Sequence, residues 1–139
     1  RADELARVHS AGARFALSPG YSPTVLQAAR DMALPFIPGV MTPSEVIHVR
    51  EQGFSLMKLF PAAQAGGLSM LKALGAPLPN VVFCPTGGVS LANMSEFLKQ
   101  PNVAMVGGSW LTPVEVVETG NWSEITRLAR EAIAIANEI

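Results

Sequence analysis

The chain predicts an α/β fold built from five tandem strand–turn–helix units with parallel strands. Three observations predict it. Short apolar runs are each closed by proline or glycine. Each closure precedes a segment with helix-start residues or helical apolar spacing. The closures also recur roughly every 19 to 24 residues, as expected of a repeated βα unit. Strict alternation of strand and helix gives a parallel sheet with right-handed crossovers. No linker or low-complexity stretch divides the chain, so residues 1–139 read as a single domain.

The segment from Ala2 to Gly12 reads as the end of a helix, with Leu5, Val8 and Ala11 on one face and Gly12 at the left-handed cap. Arg14–Leu17 is the first strand, closed by Ser18-Pro19-Gly20. Ser22-Pro23 starts a helix that runs to Asp31. Pro35–Pro38 is the second strand, with Gly39 at its exit. Thr42-Pro43-Ser44-Glu45 is a capping box that starts a helix to Glu51, ended by Gly53. Phe54–Phe60 is the third strand, followed by a loop and a helix over Gly67–Leu74. Val81–Cys84 is the fourth, closed by Pro85-Thr86-Gly87-Gly88, with Ser90 placed to cap a helix reaching Lys99. Val103–Val106 is the fifth, closed by Gly107-Gly108-Ser109. Thr112-Pro113-Val114-Glu115 reads as a second capping box. A last helix spans Ser123 to Asn137, with Ile125, Leu128, Ala129 and Ile133 along one side.

An open doubly wound sheet and a (βα)8 barrel both fit this alternation, and both keep their ligand sites at the C-terminal ends of the strands. A whole barrel needs about 250 residues, so in a barrel five units are only a part. An apolar share of 49% with 15% charged residues is globular. A net charge of −1 without a basic run argues against nucleic acid as a partner. No apolar run is long enough to cross a bilayer. The single cysteine excludes an internal disulfide and fits a reducing cytoplasm.

The residue that needs explaining is Lys58. It is one of three lysines, and Lys72 and Lys99 lie in polar-edged helical segments. Lys58 instead stands inside Phe54-Ser55-Leu56-Met57-Lys58-Leu59-Phe60-Pro61, an apolar strand of the kind covered on both faces. Burial there disfavours the ammonium form, and a neutral amine is a nucleophile. Alternation puts Leu56, Lys58 and Phe60 on one face and Met57 and Leu59 on the other. Thr86-Gly87-Gly88 and Gly107-Gly108-Ser109 form two glycine-rich exits on consecutive strands. Glycine lets the backbone turn its N–H groups toward an anion, a following helix adds its dipole, and the Thr86 and Ser109 hydroxyls add donors. The other polar residues have simpler readings. Cys84 reads as a small core residue, and His9 and His48 lack ligand spacing for a metal. Trp110 and Trp122 read as packing residues, and Glu45 and Glu115 as capping residues. No carboxylate is expected at the C-terminal end of a strand.

Taken in order, Ser18-Pro19-Gly20, Ile37-Pro38-Gly39, Met57-Lys58-Leu59-Phe60-Pro61-Ala62, Phe83-Cys84-Pro85-Thr86-Gly87-Gly88 and Gly107-Gly108-Ser109-Trp110 resemble the bacterial 2-keto-3-deoxy-6-phosphogluconate (KDPG) aldolases. The resemblance covers the chain in one register. It implies a class I aldolase on a (βα)8 barrel, here its five C-terminal units, assembled as a homotrimer. In the family, the lysine matching Lys58 forms a Schiff base with a small phosphorylated keto-acid, which is cleaved to pyruvate and glyceraldehyde 3-phosphate. The positions matching Thr86, Gly87, Gly88, Gly108 and Ser109 bind the polar and phosphate end, and Pro19 and Phe60 match pocket-lining residues. The resemblance implies no metal and no cofactor. Two alternatives stay open: action on 4-hydroxy-2-oxoglutarate (KHG), and a non-catalytic half-barrel serving binding or assembly. Ala63 departs from the glutamate that many members carry there. The family's first strands, with a catalytic glutamate and a carboxylate-binding arginine, have no counterpart in these residues, which open in what matches the helix before the fourth strand.

Overall fold

The computed structural model describes residues 1–139. In chain order the elements are α1 (Ala2–Ser10), β1 (Ala16–Leu17), α2 (Pro23–Asp31), β2 (Phe36–Ile37), β3 (Gly39–Val40), α3 (Pro43–Glu51), β4 (Leu56–Leu59), α4 (Gly67–Gly75), β5 (Val82–Phe83), α5 (Met94–Leu98), a 3-10 turn at Ser109–Leu111, α6 (Val114–Glu118) and α7 (Trp122–Ala136). The helix starts follow local chemistry. The Ser22 hydroxyl accepts from the Val25 amide at 3.2 Å, with Pro23 in the first turn of α2. Thr42 and Glu45 form the expected reciprocal box at α3.

All strand pairs are parallel. Pro38, which has no N–H to give a ladder, separates β2 from β3, so one expected strand is observed as two short pieces. The carbonyl of Pro38 still accepts from the Lys58 amide at 2.8 Å, which carries the pairing across the break. The lateral order is β1, then β2 and β3, then β4, then β5, with each strand beside its neighbour in sequence. A doubly wound sheet reverses its order at a switch point; here the order runs one way, as around a barrel.

The helix-facing core holds Val46, Val49, Met57, Leu59, Leu71, Leu74 and Phe83, all essentially without solvent exposure. Met57 and Leu59 therefore lie under the helices, while Leu56 and Lys58 are half-buried on the opposite face. A cavity of about 460 Å³ on the Leu56 side is lined by Phe15, Phe36 and Met105 as well. Phe15 precedes the first strand and Met105 lies in the last expected one, so the sheet curls until both its ends border one apolar space. No helix is long and apolar enough to cross a membrane.

Several expectations need correction. Val103–Val106 is not a regular strand and joins the sheet only through isolated bridges, Phe83 to Val103 and Thr86 to Gly107, because no strand pairs on its outer side. Ser90 does not cap the next helix. That helix begins at Met94, and the side chain of Asn93 reaches back to the Ser90 amide instead. The second capping box does not form, because Thr112 closes the 3-10 turn and α6 starts after Pro113 without a side-chain cap. Of the expected face of α1 only Leu5 is buried. On α7 the buried residue is Ala132, flanked by half-buried Leu128 and Ile135, whereas Ile133 is 60% exposed. Trp110 does pack against the core, but Trp122 is exposed.

Candidate active site

Lys58 is held by two strands. Its backbone pairs with Gly39 of β3, and the preceding Met57 pairs with Phe83 of β5. Full enclosure of the amine is not observed. Lys58 is half-buried because its face of β4 has no helix over it. Its Nζ lies 4.7 Å from the centre of the Phe60 ring, a cation–π distance, and takes part in no hydrogen bond or salt bridge with a protein carboxylate. Gly39 is obligatory beside it. A Cβ at this position would overlap the Pro19 carbonyl and the Gly20 amide, which are backbone atoms and cannot rotate away. The exit of β1 is thereby pressed against the strand that flanks the lysine. Pro19, Gly39 and Phe60 line one cavity of about 350 Å³ together with Tyr21, Met41 and Glu45.

The loop after β4 is fastened to the first diglycine exit. Ala62 and Ala63 donate to the carbonyls of Thr86 and Gly87 at 2.8 and 3.0 Å. Thr86 donates back to the Leu59 carbonyl at 3.0 Å. Gly87 and Gly88 have φ of +94° and +78°, a region that disfavours side chains. The second exit is fastened to the first, with Gly107 donating to the Pro85 carbonyl at 3.0 Å. Gly108 lies under the Trp110 ring, where any side chain would collide. The amides of Gly87, Gly88, Gly108 and Ser109 donate to no protein acceptor. The first exit thus presents free N–H groups beside the lysine strand, and the second presents its own beside the first.

Lys58, Phe60, Thr86, Gly87, Gly88 and Gly108 are brought together by these contacts, and Pro19 reaches the same end through Gly39. Ser109 is exposed in the 3-10 turn. The expected helix dipoles are not delivered. The first diglycine is followed by a turn before the short α5, and the second by a 3-10 turn. The Thr86 hydroxyl donates to the Cys84 carbonyl, two residues earlier, at 3.4 Å. Cys84 is a buried core thiol as expected. Burial pushes its pKa up, against opposing pulls from the Thr86 hydroxyl and the Lys58 charge.

One carboxylate does lie near a strand exit, contrary to expectation. Glu45 lines the cavity shared by Pro19 and Phe60, and its Oε2 accepts from the amides of Met41 and Thr42 at 2.7 and 2.8 Å. Burial raises its pKa, but the hydrogen bonds from Met41 and Thr42 outweigh this and hold it below the ordinary value. The capping motif was readable in the sequence; its closeness to Pro19 was not. His48 stacks on Tyr21 at 5.5 Å, and no group of side chains with metal-ligand character gathers anywhere.

This arrangement has close counterparts. A family model described as "Aldolase: KDPG and KHG aldolase" matches residues 1–128. The 2-dehydro-3-deoxy-phosphogluconate aldolase of Pseudoalteromonas atlantica is 45% identical over 133 residues, covering 96% of this chain and 62% of the relative. The KDPG aldolase of Legionella pneumophila, solved with pyruvate captured as a covalent carbinolamine intermediate, superposes with a TM-score of 0.87 at 46% identity, covering 96% of this chain and 64% of that one. The aldolase of Zymomonas mobilis ZM4, solved with 3-phosphoglycerate, superposes with a TM-score of 0.85 at 33% identity, covering 95% and 62%. The chain therefore spans rather less than two thirds of the length of these relatives. With the family model matching residues 1–128 and a relative 45% identical across 96% of the chain, the chain belongs to the KDPG and KHG aldolase family.

Proposed function

We propose that these residues are a single domain forming the five C-terminal units of a (βα)8 class I aldolase, with Lys58 as the Schiff-base residue. The observation that carries the reading is the position of Lys58, on the uncovered face of β4, whose end adjoins the first of two linked exits with glycine amides that have no protein partner. The substrate is a small phosphorylated keto-acid of the KDPG type. Nζ attacks the ketone carbon to give a carbinolamine, and loss of water leaves a protonated imine. As the C4 hydroxyl gives up its proton to water, the imine accepts the electron pair of the breaking C3–C4 bond and glyceraldehyde 3-phosphate departs, leaving an enamine that takes a proton from water at C3 and is hydrolysed to pyruvate and free Lys58. The ring of Phe60 and the turn at Pro19 wall the pocket. The N–H groups of Gly87, Gly88, Gly108 and Ser109, with the Thr86 and Ser109 hydroxyls, hold the phosphate end.

Borohydride reduction in the presence of pyruvate tests the assignment. The expected product is one pyruvate adduct on the peptide containing Lys58, absent from Lys58→Met. Label on Lys72 or Lys99 would remove Lys58 from the mechanism. The family description also includes KHG aldolases. The free amides favour the phosphorylated substrate, so the ratio of kcat/KM for KDPG over KHG is expected to exceed one.

A further inference from the structure

We infer that Asn93 is a positioning residue for the anion site, setting the last peptide plane of the Gly87–Gly88 turn. This deepens the phosphate-binding part of the function proposed above and rests on it. Three successive peptide groups make up the turn, and each has its carbonyl held from outside. The Thr86 carbonyl accepts from the Ala62 amide at 2.8 Å and the Gly87 carbonyl from the Ala63 amide at 3.0 Å. The Gly88 carbonyl accepts from Asn93 Nδ2 at 3.0 Å.

In a trans peptide the C=O and the following N–H point in opposite directions. Anchoring these carbonyls therefore turns the amides of Gly87, Gly88 and Val89 the other way, where none meets a protein acceptor. The first two anchors are backbone groups of the lysine strand's own loop, so no side-chain change removes them. The third is a side chain. Asn93 is locked in turn, since its Oδ1 accepts from the Ser90 amide at 2.8 Å. A primary amide is the group that can donate to one backbone atom and accept from another two residues on. Gly88 has φ of +78° and no side chain to resist rotation. Without the clamp its peptide is free to flip, presenting a carbonyl where an anion needs an N–H. Asn93 itself need not touch the ligand.

The test titrates inorganic phosphate into the ¹⁵N-labelled chain, reads the amide shifts of Gly87, Gly88, Val89 and Gly108, and measures borohydride trapping of pyruvate in parallel. Pyruvate carries no phosphate, so the two readouts report separate halves of the site. Asn93→Ala is expected to weaken phosphate binding about tenfold or more, the scale of one or two lost hydrogen bonds, while trapping at Lys58 stays within about twofold. Asn93→Asp keeps the acceptor for Ser90 and loses the donor to Gly88, so it should show the same split. Wild-type phosphate affinity in either variant overturns the inference. Parallel loss of both readouts in both variants also overturns it, because that marks a general structural prop. A parent chain whose glycine amides ignore phosphate overturns it as well. A parent chain that binds phosphate but traps no pyruvate defeats the Lys58 assignment, and the phosphate comparison still decides the role of Asn93.

Discussion

At the scale of single residues, Gly39 and Glu45 shape the cavity walled by Pro19 and Phe60 without belonging to the expected chemistry. Gly39→Ala should destabilise the fold by about 1–3 kcal/mol, the usual cost of overpacking, because the new methyl meets the backbone of Pro19 and Gly20. Urea denaturation measures this, and pyruvate trapping should slow with it, since Gly39 pairs directly with Lys58. Glu45 makes a pH-dependent contribution. Its carboxyl is held below its ordinary value near 4.5, so its stabilisation is present above that value and is lost as pH falls through the lowered one. Thermal unfolding of Glu45→Gln should therefore lose less between neutral and acid pH than the parent chain does. Lys58 was legible because a lysine in an apolar strand is out of place. Asn93 was not, because nothing in its sequence context distinguishes a turn clamp from any other asparagine near a helix start.

At the scale of elements, two similar motifs have different fates. Thr42-Pro43-Ser44-Glu45 forms a full capping box at the head of the nine-residue α3. Thr112-Pro113-Val114-Glu115 caps nothing, because Thr112 already donates its amide to Ser109 to close a 3-10 turn and α6 is only five residues long. Thr42→Ala should cost about 1 kcal/mol, the typical value of an N-cap, whereas Thr112→Ala should stay within about 0.5 kcal/mol, as surface changes do. Paired chemical denaturation curves check the contrast. Helix α7 teaches a related point. Its sequence offers apolar residues on more than one face, and packing selects Leu128, Ala132 and Ile135 while leaving Ile133 in solvent. Periodicity shows that a face exists, but only the neighbours determine which face is covered.

At the scale of the whole molecule, the curled sheet is strongest in the middle. The amides of Met57, Leu59 and Phe83 sit among side chains without solvent exposure, while Val103–Val106 is tied down by isolated bridges. Hydrogen exchange should follow this gradient, slow across β4 and β5 and fast over Val103–Val106. If the 139 residues are assayed alone, we expect pyruvate trapping with turnover about 10²–10⁴-fold below that of full-length relatives, the usual contribution of a general acid–base group. Family-level turnover by this chain would show that its own residues supply that group. Light scattering tests the homotrimer that the family resemblance implies, with a mass of about three chains as the expected outcome.

The order of strands and helices, the lysine strand and the two glycine-rich exits were all present in the sequence, because each is written in local chemistry: apolar runs, caps and backbone freedom. Tertiary structure alone decided that β1 to β5 lie in chain order, that Gly39 is wedged against Pro19, that the loop of Ala62 and Ala63 holds the Thr86–Gly88 turn, and that Lys58 is only half covered. Those features arise from contacts between segments about twenty residues or more apart, and spacing along a chain does not specify which distant surfaces come to rest against one another.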